Sequence, residues 1–163
     1  MEGALQFADP SMVIFTKLIL AILLGGLIGT ERSVVAKQAA GTRTFALVSL
    51  GACLFIIMGN YVSISYLGVL SFDPLRIAAA IITGIGFIGG GLIIFHGNNL
   101  HGITTAAGLW IVSGIGMTVG FGMYGAATFA TLLTLTTLTG MWYIENRFKQ
   151  WFEEVREDLP LSS

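Results

Sequence analysis

Between Asp73 and Glu145 the chain carries no Asp or Glu. That interval, like the stretches before it, is built from apolar runs too long for the core of a soluble domain, and runs of such length read as membrane-crossing helices. Composition agrees. Only 10% of residues are charged, against roughly 25% in soluble domains, and the mean hydropathy is +0.84. A net charge of −1 gives no bulk basic field for nucleic acid. The 22 glycines suit close helix packing in lipid. Cys53 is the one cysteine, which excludes an intrachain disulfide and a cysteine metal cluster.

The spacing predicts an all-α polytopic membrane protein with five transmembrane helices and a C-terminal amphipathic helix. Span one covers about 11–29, with Lys17 near its start placed to snorkel to the interface. Glu2 and Asp9 stand where a basic leader would be, so this run reads as a retained span, not a cleaved signal. Span two covers about 44–64, and a looser segment, 65–72, follows. Span three covers about 77–95, and a polar link, HGNNLHG, leads to span four at about 103–119. Gly120 and Gly122 form a tight turn into span five, about 124–143. Its threonines are expected to bond back to the preceding helical turn. Residues 1–143 thus form a transmembrane domain, and 144–163 an amphipathic tail that Pro160 stops. The tail lies on the membrane surface or docks a partner. With the N-terminus outside, Arg32, Lys37, Arg43, Arg147, Lys149 and Arg156 fall on the cytoplasmic side, and only Lys17 and Arg76 fall outside. The positive-inside rule therefore predicts N-out, C-in.

The stretch 73–91, DPLRIAAAIITGIGFIGGG, is the most distinctive. Asp73 and Pro74 read as a cap and first position of a helix. Gly84, Gly86 and Gly89 match the spacing of a dinucleotide-binding fingerprint. That fingerprint needs a strand before it and an acid about twenty residues on, and neither is present. The glycines, with Gly91, are instead expected to let neighbouring helices touch, as are Gly25 and Gly29 in span one. A bulky residue at Gly86 or Gly89 is expected to disrupt assembly. No nucleotide and no cofactor is expected. Protease and redox motifs are absent from the sequence, so the chain is expected not to be an enzyme.

Charge held at a span boundary needs a reason, since at a helix centre it costs on the order of 2.5–3.5 kcal/mol per residue. Two groups stand out. On the cytoplasmic side are Glu31, Arg32, Arg43 and Thr44, with His101, Thr104 and Thr105 from the link before span four. They form either a boundary salt-bridge network or a polar mouth for an ion or partner. On the outer side, Asp73 and Arg76 form either a helix cap with a local ion pair or a gate. This topology separates Glu31 from Asp73 by most of a ~30 Å hydrocarbon layer. The two cannot share one Mg²⁺ within a single chain, though one carboxylate from each copy of a homodimer could. His96 and His101 lack the one-turn spacing of a helical metal pair. Metal binding stays open.

The segments GGLIGTER (25–32), AGTRT (40–44), DPLR (73–76), GIGFIGGG (84–91) and GITTAAGLW (102–110) together resemble the MgtC/SapB family of bacterial inner-membrane proteins. The resemblance covers about residues 11–142. It implies a five-helix inner-membrane domain with a cytoplasmic C-terminus. It also implies a link to growth under magnesium limitation and, in some pathogens, to survival in macrophages. The best-studied kind is thought to restrain the F-type ATP synthase. The family's polar signature falls on Glu31, Arg32, Arg43, Thr44, Asp73, Arg76, Thr104 and Thr105, and its glycine signature on Gly84, Gly86, Gly89 and Gly91. Leu75 stands where a small polar residue is commoner, and the soluble domain of longer members, similar to ACT modules, is not expected here. The function expected is a non-enzymatic regulatory or interaction protein tied to magnesium limitation, envelope homeostasis or virulence. A Mg²⁺ transporter or channel is the alternative. Expected partners are the lipid bilayer, a second copy in a homodimer, and another membrane complex such as the ATP synthase.

Overall fold

The computed structural model describes residues 10–35, 40–65, 73–97 and 99–157. Glu2, Asp9, Lys37, residues 66–72, Leu159 and Pro160 lie outside the described residues. The chain is helical: α1 (Pro10–Val34), α2 (Thr42–Ser65), α3 (Pro74–Leu92), α4 (Ile103–Gly120) and α5 (Tyr124–Glu157). The first four are long and apolar enough to cross a membrane, which makes this a multi-pass membrane protein. α5 runs through residues 143–144 without a break, so the expected fifth span and tail are one 34-residue helix.

The polar link holds an element that sequence spacing did not predict. Ile94–His96 (β1) and Asn99–His101 (β2) pair antiparallel, Phe95 opposite Leu100. α3 therefore ends at Leu92, three residues before the expected Phe95. Strands of three residues are too short to show an alternating pattern. Gly97 turns the hairpin at φ 62°, and Gly102 enters α4 at φ 91°. A Cβ on Gly102 would collide with the Leu92 carbonyl oxygen, so this position needs glycine for its backbone angle and for space.

The helix ends follow local chemistry. Asp73 accepts the Leu75 N–H at 2.9 Å, the cap read from the sequence. α4 stops where Gly122 adopts φ 83°. There the Met123 N–H donates to the Thr118 carbonyl at 3.0 Å and the Gly122 N–H to that of Val119 at 2.9 Å, a paired closure of the helix C-terminus. In α5, Thr128, Thr131, Thr134, Thr136 and Thr137 each donate a hydroxyl to the backbone of the preceding turn, at 2.7–3.0 Å.

α2 lies between α1 and α4, and the core is where these three meet. Ile28, Phe45, Cys53, Leu109, Val112 and Val119 are buried there. Glycines set the spacing. A Cβ on Gly25 would sit 2.6 Å from Ser49 Cβ and 2.8 Å from the Phe45 carbonyl. One on Gly29 would sit 2.7 Å from Thr42 Cα. On the opposite side of α2, a Cβ on Gly116 would collide with the Ser49 carbonyl oxygen, and one on Gly120 would sit 2.8 Å from Ile56 Cβ. Ser49 is thus clasped from both sides. Real Cβ atoms do not approach so closely, so these contacts exist because the side chains are missing.

The α3 glycines behave differently, and the expectation for them needs correcting. A Cβ on Gly84, Gly86 or Gly91 would meet nothing within 4 Å, and Gly89 alone makes contact, at 3.5 Å from Ala106 Cβ. The physical reason is position. α3 leans on α4 and α2 through a narrow strip that includes Ile77, Ile81, Ile85 and Gly89, and Gly84, Gly86 and Gly91 lie off that strip. Within one chain, Gly84, Gly86 and Gly91 do not bring helices together.

Candidate functional site

Two polar regions occupy opposite ends of the bundle. At the outer end, as the sequence assigns it, Asp73 caps α3 and stays exposed. Arg76 is exposed, and the expected Asp73–Arg76 ion pair is not formed among the described residues. Lys17 shares this end. It does not simply snorkel. Its Nζ donates to the Gly120 carbonyl at 2.9 Å and ties the start of α1 to the end of α4.

At the other end, α1 continues past Gly29 and carries Glu31 and Arg32 into the protein. Both side chains are 7% exposed. Arg32 Nη1 lies 3.8 Å from Glu31 Oε2, too long for a direct hydrogen bond. Neighbours in sequence do not face each other on a helix. Both Glu31 carboxylate oxygens and Arg32 Nε are buried without a hydrogen-bond partner. Buried charges are ordinarily paired and hydrogen-bonded, and an exception calls for an explanation. A buried pair held this loosely adds little stability, because desolvation offsets its attraction.

The structure brings only part of the predicted cytoplasmic group together. Thr104 lines a cavity of about 390 Å³ with Arg32, and Thr105, buried, sits beside it in the first turn of α4. Arg43 is exposed and forms no ion pair among the described residues. Thr44 faces a second, apolar cavity of about 750 Å³ between α2 and α3. His101 is exposed in β2. Thr42 Oγ1 lies 3.1 Å from Thr30 Oγ1, a polar link from α1 to α2 at this end.

The remaining wall of the Arg32 cavity comes from α5: Thr137, Leu138, Met141, Trp142 and Glu145. These were not among the residues singled out in the sequence. A signal for Glu145 existed. It is the acid that ends the long acid-free interval, and a helix from Tyr124 rises about 32 Å to reach it, roughly a hydrocarbon thickness. Glu145 pairs with Lys149 at 3.2 Å, with both side chains 66% exposed, so that bridge contributes little.

Glu31 and Asp73 lie at opposite ends, as expected from topology. Among the described residues, no three His, Cys, Asp or Glu side chains gather into a metal-sized cluster. At Glu31 the guanidinium beside it opposes a second positive charge, so this carboxylate alone is a poor resident site for Mg²⁺.

The MgtC family model matches residues 18–147. The chain is 42% identical over 127 residues to YhiD of Escherichia coli strain K12, which carries the name "Putative magnesium transporter"; the match covers 75% of this chain and 57% of that protein. It is 44% identical over 118 residues to Protein MgtC of Salmonella typhimurium strain 14028s, covering 72% of this chain and 48% of that protein. An uncharacterized protein of Haemophilus influenzae is 36% identical over 136 residues, covering 81% of this chain and 57% of that protein. The chain thus spans about half the length of the curated relatives it matches. No solved structure is matched. By the family match and these identities, the chain belongs to the MgtC family.

Proposed function

We propose that this chain is a non-enzymatic regulatory or interaction protein of the bacterial inner membrane, acting in the response to magnesium limitation. The observation that carries this reading is the filled interior of the α1–α2–α4 core. Glycine contacts at Gly25, Gly29, Gly116 and Gly120 bring backbones together, and Ile28, Phe45, Leu109, Val112 and Val119 occupy the space between them. A packed interior of this kind suits a rigid platform more than a conduit. The magnesium link rests on the family and on the name of the Escherichia coli relative. Another membrane complex, such as the ATP synthase, is the partner that the family resemblance offers.

A Mg²⁺ transporter is the second reading, and one feature favours it: the Glu31 carboxylate, buried with both oxygens unpaired. Ionisable groups at membrane depth commonly mark ion pathways. Liposomes containing the purified chain distinguish the two. Under the regulatory reading, Mg²⁺ and monovalent-cation flux stay at the level of empty liposomes for wild type, Glu31→Ala and Asp73→Ala, and a second membrane complex co-purifies. Robust wild-type flux, lost in Glu31→Ala, overturns it.

In this reading α5 is the fifth span. It starts at the Gly122 turn beside Lys17 and reaches Arg32 and Thr104 with Thr137 and Glu145, a path as long as the other helices. Arg32, Arg43, Arg147 and Lys149 then share the cytoplasmic side, and Lys17 and Arg76 the outer side. In a Cys53→Ala background, an impermeant thiol reagent added outside is expected to label Asp73→Cys and spare Arg43→Cys. The reverse pattern inverts the orientation.

A further inference from the structure

We propose that the cavity between α1, α4 and α5 at the Arg32 end binds a phosphoethanolamine group, as the headgroup of a membrane phospholipid. Arg32 is the first reason. It lines the cavity, its side chain is 7% exposed, and its Nε is buried without a partner. A guanidinium fork matches a phosphate oxygen pair. Thr104 of α4 also lines the cavity and supplies a hydroxyl.

Charge around the cavity argues for a zwitterion over a simple anion or cation. Glu31 lies 3.8 Å from Arg32, and Glu145 stands on the facing wall. A bare phosphate meets one arginine and one carboxylate in the cavity, with the Glu31 charge behind the arginine. A metal cation meets the arginine. A phosphate with an ammonium group attached satisfies both walls: the phosphate at Arg32 and the ammonium at Glu145. The Glu145–Lys149 bridge is 66% exposed on both sides, and exposed pairs of this kind exchange at little cost. Trp142, half exposed, lines the same cavity and adds an aromatic ring, a group that attracts an ammonium. Trp142 and exposed Met141 also place the cavity mouth where lipid chains meet headgroups. The cavity volume of about 390 Å³ accommodates a group of this size. The inference requires the chain to lie in a membrane and holds equally for a regulator and a transporter.

The test is lipid retention by the full chain, read by native mass spectrometry from nanodiscs that contain equal phosphatidylethanolamine and phosphatidylglycerol. Phosphatidylethanolamine is expected to be retained about tenfold over phosphatidylglycerol, and Arg32→Gln to lower its retention about tenfold, as for one lost charge-assisted hydrogen bond. Since Arg32→Gln also isolates Glu31, two substitutions at the exposed rim accompany it. Thr104→Val is expected to weaken phosphatidylethanolamine several-fold, and Glu145→Gln to shift preference toward phosphatidylglycerol. Soluble phosphoethanolamine is expected to displace the lipid, and inorganic phosphate is not. Equal retention of the two lipids, or an unchanged preference in Glu145→Gln, overturns the proposal. So does displacement by inorganic phosphate as effective as by phosphoethanolamine, which assigns the site to free phosphate. Failure of soluble phosphoethanolamine to compete assigns binding to the acyl chains and overturns it equally.

Discussion

Two sets of glycines with similar local sequence do different work in this protein. Gly25 and Gly29 of α1, with Gly116 and Gly120 of α4, sit where a Cβ would strike α2. Gly84, Gly86, Gly90 and Gly91 of α3 sit where a Cβ would meet nothing. The burial of whole helices follows the same division: 56% of the α4 span is buried inside the chain and 11% of the α3 span. A glycine in a membrane helix is therefore not a packing residue by identity. It becomes one when another backbone lies opposite. The denser glycine run belongs to the least buried of these four apolar spans.

The largest test of this contrast is Gly116→Leu against Gly86→Leu. Gly116→Leu drives a side chain into the Ser49 backbone and is expected to destabilise the fold by about 3 kcal/mol or more, the upper range of overpacking. Loss of a monodisperse peak in detergent chromatography is the readout. Gly86→Leu is expected to leave the monomer folded. If both variants fold equally well, the distinction between the two glycine sets is wrong. Oligomer size adds a second reading. A smaller assembly in folded Gly86→Leu places a second copy on α3 and makes these glycines intermolecular contacts.

A smaller effect is expected at Lys17, which holds the ends of the close-packed region through the Gly120 carbonyl. Lys17→Met removes one charge-assisted hydrogen bond, about 1.5–3 kcal/mol, measured as a lowered unfolding midpoint in detergent. No change would show that the glycine contacts alone hold α1 and α4 in place on α2. Smallest is Gly86→Ala. On an open helix face alanine stabilises by roughly 0.5–1 kcal/mol through backbone entropy. A drop in stability instead indicates that the α3 face is occupied.

The polar residues divide in a similar way. Glu31, Arg32, Arg43, Thr44, Thr104 and Thr105 form one group by sequence and topology. In the folded chain Arg32 turns toward α4 and α5, Thr44 toward the cavity that α2 shares with α3, and Arg43 outward. Their common end of the bundle was legible because connector order dictates it. Their separation was not, because it depends on the rotation of each helix about its own axis. The same rotation brings Glu145 and Trp142 to Arg32 from more than a hundred residues away.

From the sequence alone came what depends on length, hydropathy and local chemistry. Apolar runs dictated the helices, Asp73 the cap of α3, Gly122 the stop of α4, and the threonines of α5 their bonds to the preceding turn. These interactions are local, so their residues lie within a few positions of one another. Tertiary structure decided which glycines touch a neighbour, that Lys17 is tied to Gly120, and that Glu31 and Arg32 are buried without full partners. Those outcomes turn on helix rotation and lateral placement, and in lipid, where every face of a span is apolar, hydropathy carries no record of either.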